Sequence, residues 1–195
     1  MRIWSGIRVE YFSSAWMIVE VIGSIGIGLL AGSFALIAFG GDSLVELLSA
    51  IVVVRHLRED AQGSQILGGR AAWTSSILLF SLIPIVGVGA GYSYLAGVRP
   101  EGSPLGIAIA VGAVLVMPYL WLEKRKIGRE TNSLPLKIDA IESATCFLMS
   151  LALLSGLIAE YFLGLWWADY LAAGIILGFV GREALESRAE VKTPD

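Results

Sequence analysis

The 195-residue sequence has one cysteine, Cys146, and one histidine, His56. A single cysteine excludes an internal disulfide and a cysteine-rich metal centre. His56 sits next to a charged stretch and reads as a solvated side chain. Charge is scarce too, at 16% Asp, Glu, Lys and Arg against about 25% in a soluble domain. The net charge of −3 and the lack of a basic stripe exclude a nucleic-acid partner. No low-complexity segment is present. The first residues, Met-Arg-Ile-Trp-Ser-Gly-Ile-Arg, carry no signal-peptide cleavage pattern, so the first apolar stretch is expected to be retained as a span.

What the chain has instead is apolar length. It is 56% hydrophobic with a mean hydropathy of +0.75. Several runs reach the ~20 residues that cross a ~30 Å hydrocarbon core. The pattern predicts an all-α, polytopic membrane protein: a single domain over residues 1–195 with six transmembrane helices. The spans fall at about 11–31, 34–54, 72–96, 104–122, 136–160 and 163–181. The tail from Arg182 to Asp195 is too short to fold alone. Lys and Arg set the orientation. The N-terminus, the 2–3 and 4–5 loops and the tail hold Arg2, Arg8, Arg55, Arg58, Arg70, Lys124, Arg125, Lys126, Arg129, Lys137, Arg182, Arg188 and Lys192. The other side holds Arg99, so both termini are expected in the cytoplasm, and a plasma (bacterial inner) membrane is the expected location. Trp4, Trp73 and Trp121 at inner ends and Trp166 and Trp167 at an outer end agree with interfacial belts. Gly28 with Gly32, Gly87 with Gly91, and Gly174 with Gly178 are spaced for close helix approach. Pro84 and Pro118 lie inside spans 3 and 4, as kinks or as residues tolerated within a packed bundle.

The scarce charges are placed pointedly. The stretch 32–54 is apolar enough to span a bilayer yet holds Asp42 and Glu46 near its middle. Four residues apart, they share one helical face. A bare carboxylate at the bilayer centre costs at least ~2.5 kcal/mol, so a cation, protons or basic side chains must compensate the pair. Span 5 opens Leu-Pro-Leu-Lys-Ile-Asp-Ala-Ile-Glu-Ser-Ala-Thr-Cys, which puts Asp139, Glu142, Ser143 and Cys146 on one stripe. If spans 2 and 5 face each other, three or four carboxylates converge with a hydroxyl and a thiol, enough ligands for a divalent cation. Apart from Lys137 at the inner edge of span 5, no basic residue falls within a predicted span to neutralise the Asp42 and Glu46 pair.

Such a cluster also implies a coupling. Packed carboxylates cannot all stay ionised without a counter-charge, and metal binding needs deprotonated ligands and so releases protons. A site that alternates between a cation and protons is the core of a proton-coupled antiporter. Other readings stand beside these. Glu20 on span 1 reads as a structural acid or as part of a proton or ion path, and Cys146 as a small buried hydrophobe or as a ligand on that path. Asp139, close to Lys137, could be a helix-start acid. Glu142 and Ser143 compete for the fourth ligand position. Glu160 and Asp169 read as interfacial. By residue count Asp42 lies near mid-membrane and Asp139 nearer the inner edge, a depth difference of ~10 Å. One site then requires span 5 to begin inside a water-filled cytoplasmic cavity; otherwise the acids belong to two places.

These residues resemble the membrane domain of the cation diffusion facilitator, or cation efflux, family. The resemblance is carried by Gly32 to Phe39, by Asp42-Ser43-Leu44-Val45-Glu46-Leu47-Leu48-Ser49, by Asp139 with Ser143, and by Trp167-Ala168-Asp169 leading into Leu171-Ala172-Ala173. It covers essentially the whole chain. It implies six spans with both termini inside and a tetrahedral transport site built from spans 2 and 5, at Asp42, Glu46, Asp139 and Ser143. The sequence departs from that pattern. Glu46 is longer than the usual aspartate, Ser143 replaces an aspartate, and the span 5 histidine associated with zinc preference is absent. An oxygen-rich site leans toward Mn²⁺, Fe²⁺ or Co²⁺, with Zn²⁺ still admitted. The family's C-terminal cytoplasmic metal-binding domain is not expected here, so a homodimer would form through the spans.

The sequence therefore predicts a secondary transporter, not an enzyme, that exports a divalent cation in exchange for protons and holds no permanent cofactor. Its partners are the cation, protons and the lipid bilayer. The alternatives are a passive cation channel, a membrane enzyme with a catalytic metal, and a metal-binding relative that does not transport.

Overall fold

Apolar runs of this length leave the backbone one economical solution in lipid, which is to satisfy every N–H and C=O within a helix. The computed structural model describes residues 2–59 and 66–192, and they form six helices with no strand among them. These are α1 (Arg2–Ala31), α2 (Phe34–Glu59), α3 (Ile66–Leu95), α4 (Pro104–Glu130), α5 (Leu134–Leu163) and α6 (Trp167–Lys192). Within them, Trp4–Ala31, Phe34–Ile51, Pro104–Glu130 and Leu136–Leu163 are long and apolar enough to cross a membrane, and α3 carries a shorter apolar stretch, Phe80–Leu95. The side chains of His56 and Trp73, and those of Arg2, Arg55, Arg58, Arg70, Arg188 and Lys192, lie outside the described residues.

Several helices outrun the apolar spans that announced them. α1 begins at Arg2 where the span began near 11, α4 continues to Glu130 where the span ended near 122, and α6 continues to Lys192 where it ended near 181. Glu, Lys, Arg and Ala are strong helix formers, so the backbone carries on after hydropathy has fallen. Pro84 and Pro118 sit inside α3 and α4 without ending either helix.

α2 is the hub, packed against α1, α3, α5 and α6, while α4 closes the bundle behind α1 and α5. Leu36 and Phe39 of α2, Met117 and Leu120 of α4, Met149 and Leu153 of α5, and Ile176 and Val180 of α6 fill the interior. Large apolar side chains also cover the outside, with Leu30 88% and Leu95 86% exposed. That surface suits lipid rather than water.

The glycines divide. A Cβ on Gly28 would come within 3.0 Å of the Ile37 nitrogen, and one on Gly40 within 3.0 Å of the Ile25 nitrogen, so α1 and α2 touch backbone to backbone. Gly91, Gly174 and Gly178 have nothing within 4 Å and pack no neighbour. Gly32 serves a turn. Its φ of +67° ends α1, and the Ser33 N–H reaches back to the Gly28 carbonyl at 2.9 Å.

The links after α1, α3 and α5 meet at one end, here called distal. The Glu101 N–H donates to the Ala31 carbonyl at 2.8 Å, and the Tyr170 hydroxyl to the Val98 carbonyl at 2.9 Å. Asp169 joins α6 to the start of α2. Its Oδ1 accepts from Ser33 Oγ at 2.5 Å, and its Oδ2 from the Phe34 and Ala35 N–H groups at 2.9 and 3.4 Å. Asp169 and Glu160, read from the sequence as interfacial, lie at the helix ends that flank the α5–α6 link and are 0% and 6% exposed. An acid that caps a neighbouring helix must be drawn inside the bundle. The end bearing the N-terminus is called proximal.

Candidate metal centre

α2 presents Asp42 and Glu46 toward α5, which presents Ser143 and Cys146 in return. Asp42 is 3% and Glu46 5% exposed, and Cys146 is fully buried. One ligand atom from each of Asp42, Glu46 and Cys146 falls within 4.8 Å of the others. Glu46 Oε1 accepts from Ser143 Oγ at 3.1 Å and the Cys146 thiol bonds to the same carboxylate, while Glu46 Oε2 is buried without a partner. No ion pair from Asp42 or Glu46 to a basic side chain is present among the described residues. Two carboxylates, a thiol and a hydroxyl form a mixed oxygen and sulfur set that a divalent first-row cation accepts.

The remaining residues singled out in the sequence fall around this group. Glu20, fully buried on α1, has both oxygens occupied: Trp16 Nε1 donates to Oε1 at 2.6 Å and Ser43 Oγ to Oε2 at 3.2 Å. That places it against the residue next to Asp42. Glu142 is half-buried on the flank of α5 and bonds to Ser49 of α2, with Oε2 unpartnered. Ser143 faces Glu46 directly.

Asp139 is engaged elsewhere. Its Oδ2 lies 2.6 Å from Lys124 Nζ, which also stands 3.7 Å from Glu10 Oε2. All three side chains are 0–1% exposed. The expectation that no base lies inside the bundle is corrected by this lysine, counted in the sequence among the 4–5 loop charges. α4 does not stop near 122, and Lys124 continues its buried stripe of Ala110, Ala113, Met117 and Leu120. Asp139 is seven residues from Cys146, about 10 Å along α5. The acids thus form two layers, with Asp139 in the proximal one.

A further acid escaped the sequence reading. Glu183 of α6 is hydrogen-bonded to Asp42, carboxyl to carboxyl. Such a bond needs a proton on one partner, because an ionised carboxylate only accepts. Glu183 lies two residues past the point where span 6 was ended, which removed it from consideration. A signal was available: it extends the spacing of Asp169, Ala172, Ile176 and Val180, all buried. Glu10 extends the buried series Ser13, Met17, Glu20 and Ser24 in the same way.

The cation-efflux pump FieF of Shewanella oneidensis is 33% identical over 88 residues, which make up 44% of this chain and 29% of the length of that relative. Residues 11–190, nearly the whole chain, match the family pattern described as the cation efflux transmembrane domain. The chain is an integral membrane protein and belongs to the cation efflux family.

Proposed function

We propose that the chain is a secondary transporter that moves a divalent metal cation out of the cytoplasm in exchange for protons. The observation that carries this reading is the group of Asp42, Glu46 and Cys146, buried in the bundle with their ligand atoms within 4.8 Å and no basic side chain paired to the acids among the described residues. A buried carboxylate pair needs positive charge, and here a cation or protons supply it. In the empty state the proton in the Asp42–Glu183 bond and the thiol proton of Cys146 stand where the cation would act. When a cation binds, Asp42 and Glu46 are direct ligands, Cys146 and Ser143 complete the shell, and the displaced protons leave. Glu20, held through Ser43 beside Asp42, then lies on the proton path. The proximal end, with both termini, faces the cytoplasm. Alternating access rocks the bundle around this midpoint.

Asp139, which the family resemblance offers as a ligand, is here the partner of Lys124. That favours one second reading, a chain that binds metal without transporting it. Flux decides between them. Proteoliposomes holding the native chain should take up Mn²⁺, Fe²⁺, Co²⁺ or Zn²⁺ with opposing proton movement, and D42N should abolish both. Uptake without proton movement would make the protein a pore, and binding without uptake a non-transporting relative.

A further inference from the structure

The distal end holds a second pair of buried acids that the transport reading leaves without a role. Glu160 lies in the last turn of α5, 6% exposed, and both of its carboxylate oxygens are buried without a hydrogen-bond partner among the described residues. Asp169, fully buried, stands close enough for the two charges to act on each other. Their surroundings differ. Asp169 is in the first turn of α6 and caps α2 through the Phe34 and Ala35 N–H groups, so two helix N-termini, roughly +0.5 charge each, support its negative charge. Glu160 occupies the opposite pole, the C-terminal end of α5 with roughly −0.5 charge, where no helix N–H is free to serve it. Arg99, the basic residue of the α3–α4 link, lies over the Trp166 ring, 5.8 Å from its centroid. An ionised Asp169 beside an unserved, buried Glu160 leaves a local deficit of positive charge.

We propose that Glu160 and Asp169 form a second divalent-cation site, separate from the mid-bundle group. Glu160 is 14 residues from Cys146, about 21 Å along α5. The charges match, two carboxylates to one 2+ ion. The donors are all oxygen: both oxygens of Glu160, the one lone pair left on Asp169 Oδ1, and Ser33 Oγ, which donates to Asp169 and accepts from the Leu36 N–H at 3.1 Å. With no sulfur or nitrogen, this set selects hard cations such as Mn²⁺, whereas Cys146 gives the mid-bundle group a softer character. Its role as a resting point between that group and the distal surface rests on the transport reading; its existence does not.

Equilibrium binding of Mn²⁺ alone to the full chain in lipid nanodiscs tests the site. The native chain should bind about two Mn²⁺, D42N/E46Q about one, and D42N/E46Q/E160Q none, because each substitution removes an anionic ligand. A D42N/E46Q chain that binds no Mn²⁺ overturns the distal site, and so does an E160Q substitution that leaves the remaining Mn²⁺ in place. If instead the native and D42N/E46Q chains bind equally, the mid-bundle site fails while the distal one stands. The D42N/E46Q chain decides the matter even if the triple variant does not fold.

Discussion

Two layers of buried charge lie about 10 Å apart along α5, and they solve the same problem differently. In the proximal layer Lys124 answers Asp139 at 2.6 Å and Glu10 at 3.7 Å, supplying a resident cation. In the mid-bundle layer Asp42, Glu46 and Glu183 are bonded, among the described residues, to a thiol, a hydroxyl and one another, and the Lys124 charge acts on Glu46 without an ion-pair contact. A cluster that carries its own ammonium has no electrostatic need of an ion from solution. One without it does. The same carboxylate chemistry therefore gives a structural tie among α1, α4 and α5 in one layer and, under the proposed function, a cation-binding group between α2, α5 and α6 in the next.

The comparison breaks most visibly at Lys124. K124M leaves two acids buried without their cation and should cost about 3–5 kcal/mol of stability, read as a lower midpoint of thermal unfolding in detergent. Neutralising all three partners together, in E10Q/K124M/D139N, should restore most of that loss. In the mid-bundle layer the sign reverses. E46Q relieves repulsion between carboxylates, so the cation-free protein should hold its stability or gain about 1 kcal/mol, while Mn²⁺ affinity falls at least ~100-fold. If E46Q and K124M destabilise alike, the two layers do the same job and the distinction is lost.

These layers were unevenly legible in the sequence. The helical class, the four long apolar helices and the acids of α2 and α5 were readable because spans of apolar residues leave isolated charges conspicuous. Glu10, Lys124 and Glu183 were hidden by a single cause. Each sits on its helix's buried stripe one or two residues outside the apolar span, in segments whose other residues are ordinary helix-forming surface. A charge count assigns them to solvent; helical spacing assigns them to the interior. Asp169 was hidden differently, since capping the start of α2 is a tertiary act that no local pattern announces. The ion pair that draws Asp139 away from the mid-bundle group follows from Lys124 and was out of reach without it.

Smaller effects sharpen the picture. G40A should cost about 1–3 kcal/mol by forcing α1 from α2, because the new Cβ would lie 3.0 Å from the Ile25 nitrogen; unfolding midpoints measure it. Mn²⁺ affinity should fall as pH is lowered, because the ligands must lose protons to bind. E183Q should reduce by about one the protons released per cation, measured by titrating a weakly buffered sample. C146S should weaken Zn²⁺ or Cd²⁺ binding about tenfold more than Mn²⁺ binding, in competition experiments.

Because Cys146 is the chain's one cysteine, coordination by it can be seen directly. Co²⁺ titrated into the native protein should produce a sulfur-to-metal charge-transfer band that saturates with the mid-bundle site. The band should vanish in C146S and in D42N/E46Q and survive E160Q. Tight Co²⁺ binding without that band, or a band unaffected by D42N/E46Q, would contradict the placement of the cation between α2 and α5.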